Sequence, residues 1–154
     1  MKKLIIERKS SDNKYLHRDF FVSGDIGISY VGNKYGDQAV VEYLIQYTKN
    51  YYSKLAERVL EKGFVELENY FKEIFEKEER LEFLRTKSEK DKLTITIEKC
   101  PAVTYMKSVG HQPSKWYRET TYTVYGELAK MCGFNFKVEY YNEQDGSSKF
   151  CFFK

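Results

Sequence analysis

Hydrophobic residues in the first half of the chain recur at helical steps. A first helix is predicted from Asp12 or Asn13 through Tyr15, Leu16, Phe20, Gly24, Gly27, Ile28 and Val31, stopping at Gly32-Asn33, a pair suited to the left-handed conformation that ends helices. Gly24 and Gly27 stand on its face where bulky residues are expected. Glycine inside a helix costs about 1 kcal/mol against alanine, so the pair implies that another backbone or a ligand comes close. After the turn at Tyr35-Gly36-Asp37, Val40, Leu44, Tyr47, Tyr51, Leu55 and Val59 mark one face of a second helix running to Gly63. Val41, Ile45 and Tyr52 widen that face and predict a central helix buried on two sides. Phe64 to Arg80 reads as a third helix, with Leu67, Tyr70, Phe71, Ile74 and Phe75 inward. Its opposite face, crowded with Glu66, Glu68, Glu73, Glu76, Glu78 and Glu79, reads as solvated.

The period then shortens to two. Leu81 to Thr86 and Leu93 to Ile97 read as strands joined by the polar stretch from Lys87 to Lys92. The second strand runs into Cys100-Pro101, and proline favours the first position of a helix, here a short one through Val103, Met106 and Lys107 to Gly110. The loop His111-Gln112-Pro113-Ser114 follows. Ser114 is expected to cap a longer helix striped with Tyr117, Thr121, Val124, Leu128 and Met131 and closed by Gly133. Phe134, Phe136, Val138 and Tyr140 alternate with polar residues, and a turn over residues 142–147 leads to a last strand, Lys149 to Phe153. The order ααα-ββ-αα-ββ, without βαβ alternation, predicts an α+β fold: an antiparallel sheet of four or five strands under a helical layer. The 154 residues suit a single domain, with residues 1–12 a loose segment or an edge strand around Leu4-Ile5-Ile6.

Composition adds to this picture in three places. Aromatic residues reach 17%, with 14 Tyr and 11 Phe, so many buried rings carry hydroxyls, and several lining one cavity would suit a partly polar ligand. The net charge of +3 argues for neither nucleic acid nor a membrane surface as partner, although seven Lys and Arg face three acids between residues 87 and 118, which favours an anionic ligand there. No apolar run approaches the roughly 18–20 residues of a membrane span. Three cysteines behind a first apolar cluster far shorter than a signal-peptide core point to a reducing, cytoplasmic setting.

Cys100 heads the candidates for chemistry. At a strand-to-helix junction the partial positive charge of free helix N–H groups can lower a thiol pKa, whereas the alternative is a buried cysteine acting as a small hydrophobe. Cys132 and Cys151 look structural. His17-Arg18-Asp19 groups an imidazole, a guanidinium and a carboxylate, and also reads as ordinary charge placement at a helix start. His17 and His111 are the only histidines, so any acid–base partner of Cys100 or any metal site would need His17, Asp19 and His111 to meet in space. No ligand spacing for a metal exists, and no metal or cofactor is expected. Trp116-Tyr117-Arg118-Glu119 follows the proline loop, where Trp116 and Tyr117 could wall a pocket and Arg118 could hold a carboxylate bidentately. Neither a dinucleotide-binding glycine loop nor a nucleophile elbow is present.

Four stretches carry a resemblance: Tyr15-Leu16-His17-Arg18-Asp19-Phe20, Tyr35-Gly36-Asp37-Gln38-Ala39-Val40-Val41-Glu42-Tyr43-Leu44, Lys99-Cys100-Pro101-Ala102, and Met106-Lys107-Ser108-Val109-Gly110 through Pro113-Ser114-Lys115-Trp116-Tyr117. In order and spacing, over nearly the whole chain after residue 12, they resemble the bacterial L-2-amino-thiazoline-4-carboxylate hydrolase-like family. That family is similar in fold to the 4-vinyl-reductase-type small-molecule-binding domains, which implies helices packed on one face of an antiparallel sheet. The resemblance implies hydrolytic opening of a thiazoline ring to an S-carbamoyl cysteine. Arg118, Lys99 and Lys107 would bind the substrate carboxylate, water or Cys100 would attack the C=N carbon, and His17 or His111 with Asp19 would move protons. The expected function is thus binding of a small organic ligand, with hydrolysis of a non-peptide C–N bond. The alternatives are a non-enzymatic sensor or carrier with an aromatic-lined pocket, and an assembly module that pairs as a homodimer through a helix face.

Overall fold

The computed structural model describes the backbone of residues 14–154 and side chains from Arg18 onward. The expectations for residues 1–12 and for the His17 side chain lie outside the described residues. Among the described residues six α-helices and four strands follow in the order α1 (Lys14–Tyr35), α2 (Asp37–Tyr51), α3 (Ser53–Lys62), α4 (Phe64–Lys77), β1 (Leu84–Glu89), β2 (Lys92–Ile97), α5 (Pro101–Ser108), α6 (Glu119–Met131), β3 (Asn135–Tyr141) and β4 (Ser148–Phe153). The fold is α+β. Its sheet is antiparallel throughout, in the spatial order β1-β2-β4-β3, so the α5–α6 crossover seats the last strand beside β2 and leaves β3 at the edge.

Alternation decides which face of the sheet is covered. Ile95 pairs with Phe150 and Leu93 with Phe152, and Phe136 and Val138 continue these rows onto β3. These side chains meet Phe71 and Leu67 of α4, Val59 of α3 and Leu128 of α6 in the main core, where Phe71, Phe150, Phe152, Leu67, Leu93, Ile95 and Leu128 are fully buried. Burial of one such side chain contributes about 1.5–3 kcal/mol. A smaller cluster, Ile28, Val40, Leu44 and Val124, joins α1, α2 and α6, and Tyr52 and Tyr125 touch both clusters.

Four features depart from the periodicity reading. The long second helix is broken at Tyr52 into α2 and α3. Asn50-Tyr51-Tyr52-Ser53 are all weak helix formers, and the bend turns Tyr52 inward, where its hydroxyl accepts a hydrogen bond from Tyr70 at 2.9 Å. Helix α4 ends at Lys77, and Glu78, expected on a solvated face, is only 3% exposed, its Oε2 lying 3.3 Å from Arg18 Nε. Leu81 to Phe83 form a single tight turn, so β1 begins at Leu84 and extends to Glu89, leaving only Lys90-Asp91 between the strands. Helix α6 starts at Glu119, because residues 114–118 are wound into short turns and the Ser114 side chain is engaged elsewhere.

The glycines of α1 also take different parts from those expected. Nothing approaches within 4 Å of where a Cβ would stand at Gly24 or Gly27. The close approach is at Gly32, which lies inside the helix rather than at its end: a Cβ there would stand 2.5 Å from the Trp116 ring. The helix stops instead at Gly36, whose φ is 90°. Gly32→Ala should therefore displace the indole and lower the unfolding free energy by about 1–3 kcal/mol in urea denaturation, whereas Gly24→Ala should raise it by up to about 1 kcal/mol. Equal effects of the two substitutions would contradict this assignment.

Candidate functional site

Strand β2 leaves the sheet at Ile97, and three residues later Cys100 is extended, with φ −77° and ψ 121°, ahead of Pro101 at the first turn of α5. The junction is stitched to the β3–β4 turn. Cys100 N–H donates to the Asp145 carbonyl at 3.1 Å, and Gly146, with φ 68°, presses so close that a Cβ there would stand 2.5 Å from Cys100 Cβ. Thr104 Oγ1 donates back to the Cys100 carbonyl at 2.8 Å. Burial pushes the Cys100 thiol up, and this outweighs the opposing pull of the Val103 and Ala102 N–H groups at the start of α5. The carboxylates of Asp145 and Glu78 act in the same direction as burial. The helix start thus favours the thiolate as the sequence suggests, and loss of solvent exceeds it.

Beside this junction lies a group absent from the sequence reading. Asp25, on α1, is 1% exposed and takes three hydrogen bonds from the α5–α6 connection. His111 Nε2 lies 2.8 Å from Oδ2, the Ser114 backbone N–H donates to the same oxygen at 2.9 Å, and Ser114 Oγ donates to Oδ1 at 2.7 Å. A carboxylate can be carried inside a protein only when such donors replace its water. The sequence does hold a signal for it: Asp25 shares the helical face of Phe21, Ile28 and Gly32, an acid set in an apolar stripe.

The loop that Asp25 holds forms one wall of a cleft of about 180 Å³. Val103 and Lys107 of α5 form the second wall, and Tyr141, Glu143 and Gln144 from the end of β3 and the following turn form the third. Gln112, Pro113, Ser114, Lys115, Tyr117 and Arg118 complete it from the connection. Burial pushes the hydroxyls of Tyr117 and Tyr141 upward, each with a further contribution from nearby Cys100, so both phenols are donors at neutral pH. Arg118 is suspended between two acids, Glu119 and Glu143, at 3.5 Å each, and Lys107 Nζ donates to the Gln144 carbonyl.

No protein-family model, curated protein or solved structure matches this chain.

The site residues read from the sequence are divided by the structure. It brings Lys107, Tyr117 and Arg118 together in the cleft. Trp116 is directed away: its ring lies over Gly32, its Nε1 donates to Asp37 Oδ1 at 2.7 Å, and Lys115 Nζ sits 4.5 Å from the ring centre. Asp19 accepts a hydrogen bond from the Tyr105 hydroxyl at 2.8 Å and ties α1 to α5. His111 is committed to Asp25, while Tyr117 lies within electrostatic reach of both Asp25 and Cys100. Among the described residues no three His, Cys, Asp or Glu side chains are grouped as a metal site would require.

A thiol kept protonated by burial reacts slowly. Mass-spectrometric mapping should find Cys100 alkylated by iodoacetamide at neutral pH more slowly than a free thiol of pKa about 8.5, with the rate still rising at higher pH. Alkylation faster than the free thiol would contradict the raised pKa.

Proposed function

We propose that this protein binds a small organic carboxylate in the cleft between α5, the His111–Arg118 connection and the β3–β4 turn. The observation that carries the reading is the convergence of Lys107 and Arg118 on a recess lined by two protonated phenols, Tyr117 and Tyr141. Arg118 offers a planar fork to a carboxylate, and its two acid partners at 3.5 Å hold it loosely enough to exchange one of them for a ligand. The phenols would hydrogen-bond a second polar atom deeper in the recess. A volume near 180 Å³ lies below the roughly 300–1,000 Å³ of drug-sized sites and suits a molecule the size of an amino acid.

The resemblance to thiazoline carboxylate hydrolases supplies a ligand of this kind, L-2-amino-thiazoline-4-carboxylate. In that reading water is the nucleophile that opens the ring, because burial keeps the Cys100 thiol protonated. The same raised thiol, with His111 engaged by Asp25, also favours a carrier or sensor that binds without turnover.

Thermal-shift measurements with the thiazoline carboxylate and with its carboxamide distinguish a carboxylate site from a non-specific one. At about a hundred times its Kd the acid should contribute about 2.7 kcal/mol, a rise of roughly 5–10 °C, and the amide should give much less. Arg118→Gln should weaken the acid roughly tenfold. Equal shifts with acid and amide, or an unchanged affinity in Arg118→Gln, would overturn the proposal.

A further inference from the structure

A second recess lies on the other side of α6. Residues 41, 45 and 49 of α2 run along one rim at helical spacing, and residues 122, 126, 127 and 130 of α6 run along the other. Phe134 and Phe136, around the start of β3, border a groove of about 390 Å³. Val41, Ile45 and Tyr122 make its sides apolar. Gly126 opens its floor: the only atom near a Cβ there would be Phe136 Cδ1 at 3.5 Å, an ordinary contact, so no crowding of the backbone explains a glycine in the middle of this helix. A larger side chain at this position would fill the space that the glycine leaves open.

One end of this groove is cationic. Glu127, which is 8% exposed, is ion-paired on both oxygens: Lys49 Nζ lies 3.8 Å from Oε1 and Lys130 Nζ lies 3.6 Å from Oε2. Two ammonium groups on one carboxylate leave one positive charge over. The nearest acids along the two helices do not cancel it: Glu42 of α2 is about two helical turns from Lys49, and Glu119 of α6 is engaged by Arg118 and by the Thr123 hydroxyl. Glu127 thus gathers two flexible lysine stems at a fixed point. Their side chains are 50% and 74% exposed and neither pair is within hydrogen-bonding distance, so both ammonium groups keep N–H donors for a further acceptor.

We propose that this groove is a binding site for a small organic anion with an apolar body, such as an arylalkyl carboxylate. The anionic head accepts hydrogen bonds from Lys49 and Lys130 and compensates the charge left over by their pairing with Glu127. The body lies over Gly126 between Val41 and Ile45 on one side and the rings of Tyr122 and Phe136 on the other, where it removes apolar surface from water. An ammonium ligand is disfavoured by the same net positive charge. The site is separate from the cleft beside α5 and differs from it in having an apolar trough behind its cations. At about 390 Å³ the groove falls within the roughly 300–1,000 Å³ range of small-molecule sites.

3-Phenylpropionate is a direct probe, with phenethylammonium as its counterpart of opposite charge and acetate as the head without a body. Amide NMR titration of the whole chain gives both affinity and location. The expected result is saturable millimolar or tighter binding of phenylpropionate that shifts α2, α6 and the start of β3, with neither control producing those shifts. Lys130→Glu, a substitution at a largely exposed position, reverses one of the two rim charges and should weaken phenylpropionate by roughly fivefold to tenfold. Gly126→Leu keeps both lysines but fills the floor, and should abolish saturable binding in the groove. Absence of saturable phenylpropionate binding, shifts confined to α5, residues 111–118 and the β3–β4 turn, equal binding of either control in the groove, or an unchanged affinity in Lys130→Glu or in Gly126→Leu would each overturn the proposal.

Discussion

The hydrogen-bonded burial of Asp25 is the constraint on which the cleft depends. A carboxylate 1% exposed in the apolar face of α1 is tolerable only while His111 and both donors of Ser114 stay on it. That requirement fixes a connection that would otherwise be free to move, since residues 109–118 contain no helix or strand. The same connection is held a second time by Trp116, packed on Gly32 and hydrogen-bonded to Asp37. Two anchors on α1, one polar and one aromatic, therefore present Tyr117 and Arg118 at a set distance from α5.

The far wall is equally determined. Gly146 has a positive φ and lies against Cys100, and the Cys100 N–H is bonded to Asp145, so the β3–β4 turn cannot shift without disturbing the start of α5. Cys100 is consequently a packing element at the back of the site, and the close contact that builds the junction also withdraws its thiol from water. Helix α6 then separates two recesses, a cationic one lined by Arg118 and Lys107 and a mixed one in which Glu127 is ion-paired with Lys49 and Lys130. Tyr122 is shared between them: Arg118 lies 5.6 Å from its ring centre on one side, and the ring borders the groove on the other.

Local pattern sufficed where one interaction dominates. The alternation of Leu93, Ile95 and Ile97 marks β2 because these three side chains face the helical layer, and Pro101 marks the start of α5 because its ring suits that position. The layering of helices on an antiparallel sheet followed from the order of those periods. What the pattern missed was set by contacts distant in sequence. The break at Tyr52 depends on Tyr70, the start of α6 on Asp25 drawing away the Ser114 hydroxyl, and the role of Gly32 on an indole more than eighty residues along the chain. In the candidate site, Lys107, Tyr117 and Arg118 were legible as a basic and aromatic cluster around a loop. Asp25 was not, because a carboxylate on an apolar stripe shows its meaning only beside the donors that satisfy it.

Amide hydrogen exchange at Ser114 reads directly whether a buried carboxylate holds the cleft wall in place before any ligand arrives. Its N–H donates to Asp25 at 2.9 Å, so its exchange should be slowed towards the rate of the core strands, although the residue lies in a loop. Exchange of the Ser114 amide as fast as that of an exposed loop would show that Asp25 does not fix the wall.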